Sequence, residues 1–230
     1  MPTANHGNEP DLACNILRRA RDTFPDAYQD IQDLAITHGR VENDMVFHDA
    51  WILSLYRAFE REYSGDGRNI AVLARPLKSS PAQDGATHIP YNRGEYGFDL
   101  AVVEMSRLPA PYPGKAGKPN EIDVVARHLW QVESEIAGDA EKVSVNLGKL
   151  TGGTAPCKLL VMMTPRQPDL GEAWRSFIMA ASAQLQGHFF LAMVPSYGDR
   201  NTHDEWRKGQ VPVQLFHRRP NEQHMITLQM

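Results

Sequence analysis

Two glutamates separated by one residue, Glu133 and Glu135, are the pair in the sequence most suited to chemistry. They lie in residues 128–136, HLWQVESEI, which predict a strand. Side chains alternate along a strand, so both carboxylates share one face, about 6.6 Å apart along the backbone. On a central strand such like charges cost several kcal/mol unless a cation lies between them. A divalent metal ion or an Arg or Lys pair would neutralise them, and an edge strand with a solvated polar face is the alternative.

Two further residues are predicted near this pair. Asp99 opens an apolar strand in FDLAVVE, where an isolated acid beside the centre of a sheet is unusual. Lys149 projects from the helix predicted after the glutamate strand. Carboxylates from two neighbouring strands, together with an ammonium group, make a hard-oxygen site suited to Mg²⁺. Such an ion can generate hydroxide and stabilise charge on a phosphoryl group.

The elements that must position these residues follow from the hydrophobic pattern. Three helices are predicted first: one from Asp11 that is broken at Phe24-Pro25, then residues 27–38 and 43–63. The remaining elements are strands 69–74, 98–105 and 128–136, helix 139–150, strand 158–163, helix 170–185, strand 188–194, and strand candidates 211–216 and 224–228. Residues 1–10, 76–96 and 108–119 are expected to be irregular. This order predicts the α/β class, a mixed sheet flanked by helices with an N-terminal helical extension.

Composition excludes several classes of protein. The 230 residues are 42% hydrophobic and 23% charged, as expected of a globular chain. A net charge of −4 excludes a uniformly basic nucleic-acid coat protein, but not an enzyme with a local basic cleft. The longest apolar runs are far shorter than the roughly 20 residues that span a bilayer, so no membrane association is expected. The polar N-terminus and the two cysteines, which form no disulfide framework, predict a cytoplasmic protein.

The order of these features resembles the PD-(D/E)XK superfamily of restriction-endonuclease-like nucleases. Asp99 lies in one strand, Glu133-x-Glu135 in the next, and a helix ending in Lys149-Leu150 and a KLLVM strand follow. The family core is α-β-β-β-α-β, which corresponds to roughly residues 49–194. The resemblance therefore implies a nuclease-like domain over residues 49–230, preceded by the helical extension over residues 1–48.

The resemblance also assigns roles to the candidate residues. It implies that Asp99 and Glu133 bind the metal ion. The third motif position, usually lysine, is Glu135 here, as in BamHI-like restriction enzymes. In other branches the lysine lies on the following helix, where Lys149 is found. Glu135 would bind the metal or act as base, and Lys149 would position the attacking water or stabilise charge on phosphorus; which of the two replaces the lysine stays open.

The implied activity is that of a Mg²⁺-dependent DNA endonuclease, a type II restriction enzyme that cuts double-stranded DNA as a homodimer. Mn²⁺ would substitute for Mg²⁺. Two alternatives stay open: a catalytically inactive interaction protein with a nuclease fold, and a nuclease of DNA repair or DNA junctions.

Asp123 is the rival of Asp99, because it precedes Glu133 by ten residues. If residues 121–136 form one strand, Asp123 lies about 33 Å from Glu133. If a two-residue turn falls at residues 127–128, it faces away from Glu133. We therefore favour Asp99.

Some family members add a glutamate from the helix that precedes the sheet. Glu62 falls inside the apolar arc of that helix and Glu60 just outside it, so Glu62 is the better candidate. A surface acid is the alternative for either. Basic residues that could contact phosphate, or simply occupy solvated turns, are Lys115, Lys118, His217, Arg218 and Arg219.

Overall fold

The computed structural model describes residues 8–37, 39, 43–65, 67–75, 97–110, 121–135, 140–164, 168–195 and 200–230. Within these ranges the elements, in chain order, are α1 (Glu9–Thr37), α2 (Asn43–Tyr63), β1 (Ile70–Ala74), β2 (Leu100–Pro109), β3 (Glu121–Glu135), α3 (Ala140–Gly152), β4 (Cys157–Met163), α4 (Pro168–Ala181), β5 (His188–Val194), α5 (Arg200–Arg207), β6 (Gln214–Arg218) and β7 (Ile226–Leu228). A short 3₁₀ turn, Ser182–Gln184, follows α4.

The seven strands form one mixed sheet in the order β1-β2-β3-β4-β5-β6-β7. The pairs β3–β4 and β4–β5 are parallel, and the other four pairs are antiparallel. Helices α3 and α4 connect the parallel strands, as crossover connections require. The predicted α/β class, with a mixed sheet flanked by helices and an N-terminal helical region, is confirmed.

One face of the sheet packs against α1 and α2. Alternate residues of the central strands point to this face, among them Val132, Leu159, Val161, Phe190 and Ala192. Trp206 of α5 completes the layer, with its ring centroid 4.7, 4.8 and 5.5 Å from those of Phe24, Phe47 and Trp51. Burial of each such ring contributes about 2–3 kcal/mol, so this contact joins three helices to one core.

The opposite face packs against α3 and α4. The intervening residues of β4 and β5, such as Leu160 and Leu191, point to this side and contact Val143, Leu147 and Ile178. The sheet is therefore the middle of three layers. Because β4 and the last seven residues of β3, from Leu129 to Glu135, are covered on both faces, any polar side chain on these stretches must find its partners within the protein.

Several local predictions differ from the structure. Helix α1 continues through Pro25, so the predicted break is wrong. Phe24 and Ala27, on either side of it, are buried, and their packing outweighs the cost of a proline inside a helix, about 3 kcal/mol. Strand β3 begins seven residues before the predicted strand, because β2 pairs with it out to Pro109. Helix α5 was not predicted, because its sequence is polar except for Trp206 and so shows no apolar periodicity.

A further difference is at Leu129. Alternation predicts that Leu129 shares a face with Glu133, but it belongs to the α1/α2 core together with Trp130. The register with β2 shifts here, because Val102 pairs with Trp130 and Val103 with His128. Such a β-bulge inserts one residue and breaks the alternation.

The predicted irregular segments 76–96 and most of 108–119 lie outside the described residues, and so do Lys115 and Lys118. Residues 108 and 109 belong to β2 instead. In the ranges that the structure describes, no helix is both long and apolar enough to cross a membrane.

Candidate active site

Glu133 lies on β3, which is bordered by β2 and β4 in the interior of the sheet. Its side chain is only 1% exposed. The Oε2 atom accepts a hydrogen bond from Lys149 Nζ at 3.0 Å. The Oε1 atom is buried and has no hydrogen-bond partner among the described residues. The predicted acid on a central strand is thus observed, with one oxygen still available.

Asp99 immediately precedes β2 and lies beside the end of β3. The register pairs Leu100 with Val132, so the next position along each strand brings Asp99 next to Glu133. Asp99 Oδ2 accepts a hydrogen bond from the backbone N–H of Ser134 at 2.8 Å. The structure therefore brings together Asp99 and Glu133, the two acids that were predicted from the sequence to bind the metal ion.

The environment of Glu133 strongly favours its neutral form. Burial, and after it the negative charge of Asp99, raise the pKa of Glu133 to about 8, although Lys149 and the backbone of Asp99 act to lower it. The Glu133 carboxyl is thus under two opposite influences, the negative charge of Asp99 and the positive charge of Lys149. Carboxyl groups with strongly raised pKa values cluster at functional sites.

Lys149 lies in the last turn of α3 and is 41% exposed. The buried residues of this helix, Val143, Leu147 and Leu150, pack on the sheet and turn the Lys149 side chain toward β3. Its ammonium thus contacts buried Glu133 and also reaches solvent. Glu135, the last residue of β3, is 9% exposed, so both glutamates of the pair are buried.

Arg75, which sequence reasoning missed, joins Asp99 to a second acid. It follows β1, and its backbone N–H donates to Asp99 O at 2.9 Å. Its Nε forms an ion pair with Asp99 Oδ1 at 2.8 Å, and its Nη2 donates to Asp49 Oδ1 at 3.1 Å. Both oxygens of Asp99 are therefore engaged, one by Arg75 and the other by the Ser134 N–H.

Asp49 on α2 is the second residue that sequence reasoning missed. It is fully buried, and it lies three residues after Val46 and four before Leu53, which are also buried. An acid at helical spacing from apolar residues on both sides was the available signal. We refer to Asp49, Arg75, Asp99, Glu133 and Lys149 as the carboxylate cluster.

The other predicted acids lie elsewhere. Glu62 forms an ion pair with Arg19 of α1, and Glu60 accepts a hydrogen bond from the Tyr56 hydroxyl at 2.5 Å. The α2 acid that reaches the cluster is Asp49 instead. Asp123 lies near the opposite end of β3, where it pairs with Arg107 at 3.2 Å.

The basic segment at residues 217–219 has a structural role at its first two positions. His217 and Arg218 belong to β6 and are buried, not in a turn as predicted. His217 Nε2 lies 2.9 Å from His188 Nδ1, and Arg218 donates to Leu185 O at 2.7 Å. These contacts bind β6 to its neighbours, and Arg219 alone of the three is exposed.

Asp99 and Glu133 are the candidate ligands of the carboxylate cluster for a divalent cation of the Mg²⁺ type. Both carry hard oxygen atoms, and the buried Oε1 of Glu133 has no hydrogen-bond partner in the part of the chain that the structure describes. No group of three or more His, Cys, Asp or Glu residues in the described ranges could hold a metal ion. Mg²⁺ commonly binds through one or two carboxylates and keeps several water ligands, so these two acids would be enough to hold it once Asp99 is released from Arg75.

Comparison with protein-family models, curated proteins and solved structures finds no match for this chain. The resemblance to the PD-(D/E)XK superfamily stays a prediction. Any inference about the function of the chain must therefore be drawn from the carboxylate cluster and from the order of the elements around it.

Proposed function

We propose that the protein is a Mg²⁺-dependent DNA endonuclease that hydrolyses phosphodiester bonds. The observation that supports this most is the placement of Asp99 beside Glu133, whose Oε1 is buried without a hydrogen-bond partner from any described residue and whose Oε2 contacts Lys149. By the resemblance to the PD-(D/E)XK nucleases, two acids from neighbouring strands would hold the metal ion and a lysine would assist its chemistry.

The roles follow from burial and reach. Asp99 and Glu133 would hold Mg²⁺, which when bound supplies an acidified water and stabilises charge on the phosphoryl group. Lys149, which is 41% exposed, can reach a phosphate at the surface while it contacts Glu133. Glu135 is buried at the end of β3 and would serve as a further ligand or as the base.

The order of elements supports the same proposal. The succession α2-β1-β2-β3-α3-β4 has the α-β-β-β-α-β order of the nuclease core. Asp99 directly precedes the second strand of this succession and Glu133 lies on the third, which is the order in which the resemblance would have the two acids. By the same resemblance, we propose that the enzyme is of the type II restriction class, with double-stranded DNA as substrate and a homodimer as the active form.

Digestion of supercoiled plasmid tests the activity. We expect the wild-type protein to cut the plasmid with Mg²⁺ and not with a chelator. Glu133→Ala should abolish cutting, a loss of at least about 100-fold, because it removes a metal ligand, and should leave the fold intact by circular dichroism. Asp123→Ala is the matched control, since Asp123 is an exposed acid on the same strand, and it should cut normally.

The proposal would be refuted if Glu133→Ala cut the plasmid. It would also be refuted if the wild-type protein cut no DNA substrate in the presence of Mg²⁺. Single-stranded and branched DNA are included as substrates because a DNA repair or junction nuclease would cleave them. Such a nuclease would not produce discrete bands from the plasmid. Discrete bands from double-stranded plasmid indicate the restriction type.

A second candidate is a catalytically inactive interaction protein that keeps the nuclease fold. One observation favours it: Asp99 is fully engaged by Arg75 and Ser134, as in a structural ion pair. The two candidates differ in metal binding. The enzyme should bind Mn²⁺ through Asp99, and the inactive protein should not.

A further inference from the structure

Arg75 occupies the position between two acids from different elements. Asp49 on α2 is fully buried, Asp99 before β2 is 13% exposed, and Arg75 itself is 15% exposed. Its Nη2 donates to Asp49 at 3.1 Å, and its Nε forms an ion pair with Asp99 at 2.8 Å. One guanidinium is therefore shared by two carboxylates at the inner edge of the carboxylate cluster, and the three groups together keep a net charge of −1.

The contact with Asp99 places this positive charge where a divalent cation would bind. Asp99 has two oxygens: Oδ2 is held by the Ser134 N–H, and Oδ1 faces Arg75. A cation shared with Glu133 would lie close to the guanidinium, and the two positive charges would repel each other in a poorly solvated environment. Arg75 and the cation thus compete for the same acid.

Lys149 is a weaker competitor. Its ammonium binds Oε2 of Glu133 and leaves Oε1 available. It lies at the end of a side chain that is 41% exposed, so it can move into solvent. Arg75 is largely buried and keeps Asp49 as an acceptor after its contact with Asp99 is broken.

We propose that Arg75 is an internal competitor of the divalent cation at Asp99, and that it sets the metal concentration at which the site is filled. In the metal-free protein it neutralises Asp99. When the cation binds, the guanidinium leaves Asp99 and remains on Asp49. This inference rests on the metal site of the proposed function, but it concerns a residue that the proposed function does not use.

Mn²⁺ binding to purified Arg75→Gln and wild-type protein tests the inference, by calorimetric titration and by the rise in thermal midpoint with Mn²⁺ concentration. We expect Arg75→Gln to bind Mn²⁺ about tenfold or more tightly than wild type, because a neighbouring positive charge has been removed. Arg127→Gln is the matched control. It removes an arginine that pairs with Glu104 elsewhere on the sheet, and its Mn²⁺ affinity should equal that of wild type.

Arg75→Gln leaves Asp49 with a weaker partner in a buried position, so the variant could fail to fold. Asp49→Asn/Arg75→Gln removes that buried charge and should show the same tighter binding. Wild-type protein gives a third measurement: the NMR signal of the Arg75 side-chain N–H should shift as Mg²⁺ is added. Equal or weaker Mn²⁺ binding by the folded variants, or an Arg75 signal unchanged at saturating Mg²⁺, would overturn the inference.

Failure of this inference is distinguishable from failure of the proposed function. If wild type cuts plasmid and the variants bind Mn²⁺ no more tightly, Arg75 is not a competitor and the nuclease stands. If the variants bind Mn²⁺ more tightly and no protein cuts DNA, Arg75 is a competitor at a metal site with another role.

Discussion

At the scale of single residues, Glu133 has an environment that folding alone does not favour. A buried carboxyl oxygen without a hydrogen-bond partner costs about 1–3 kcal/mol, and within the described ranges Glu133 Oε1 is such an atom. Proximity to Asp99 adds repulsion, which Lys149 offsets in part. Such a cost is typical of a group retained for binding or catalysis.

Glu133→Gln should therefore stabilise the metal-free protein in a pH-dependent way. The pKa of Glu133 is raised from 4.5 to about 8, so between these values the unfolded state holds fewer protons than the folded state. The wild-type free energy of unfolding consequently falls as pH rises through this window. The variant cannot ionise, and its advantage should grow from pH 4.5 to 8, to roughly 5 kcal/mol at most, and then level off.

Urea denaturation in the presence of a chelator measures this difference. Glu104→Gln is the control, because it removes a partly exposed acid of β2 that pairs with Arg127. A Glu133→Gln advantage that stays constant with pH would show that Glu133 is charged in the folded protein.

The sequence located part of the carboxylate cluster and missed the rest for a physical reason. Asp99, Glu133 and Lys149 could be nominated because strand alternation and element order place them on adjacent elements. Asp49 and Arg75 meet across 26 residues through the packing of α2 against the sheet. No local periodicity encodes that contact.

At the scale of elements, buried strands were predicted well and context-dependent elements were not. Strand β5 has the predicted limits, residues 188–194, because an apolar run of this length suits a strand buried on both faces. The predicted break at Pro25 was wrong, since tertiary packing of α1 outweighs the local signal. Helix α5 was missed, because its position depends on where Trp206 packs.

Gly187 at the start of β5 offers a test of how the parallel strands are joined. It has a φ of 81°, and a side-chain Cβ added there would lie 2.3 Å from the Pro156 carbonyl oxygen before β4. The same oxygen accepts a hydrogen bond from the His188 N–H at 2.8 Å. Gly187→Ala should lower the free energy of unfolding by about 2–4 kcal/mol.

Thermal or urea denaturation of Gly187→Ala checks this expectation. Gly171→Ala in α4 is the matched control, because an added Cβ there meets no atom within 4 Å, and it should be neutral or stabilise by up to about 1 kcal/mol. Equal stability of both variants with wild type would show that this close approach does not constrain the sheet.

At the scale of the whole molecule, the carboxylate cluster forms where several separate segments meet. Asp49 comes from α2, Arg75 follows β1, Asp99 precedes β2, Glu133 lies on β3 and Lys149 lies on α3. Each segment is anchored by its own part of the core, so the site depends on the complete sheet and both helical layers. The α/β class could be predicted because element order determines it, whereas the convergence of these segments depends on the three-dimensional packing.

The most direct test of the central claim, that Asp99 and Glu133 together hold one divalent cation, is the stoichiometry of Mn²⁺ binding. Calorimetric titration of the wild-type protein should give one Mn²⁺ per chain. Asp123→Asn, which alters an exposed acid paired with Arg107, should bind equally, and Asp99→Asn should lose binding at least about tenfold. Wild-type protein that binds no Mn²⁺, or Asp99→Asn that binds it as wild type does, would contradict the claim.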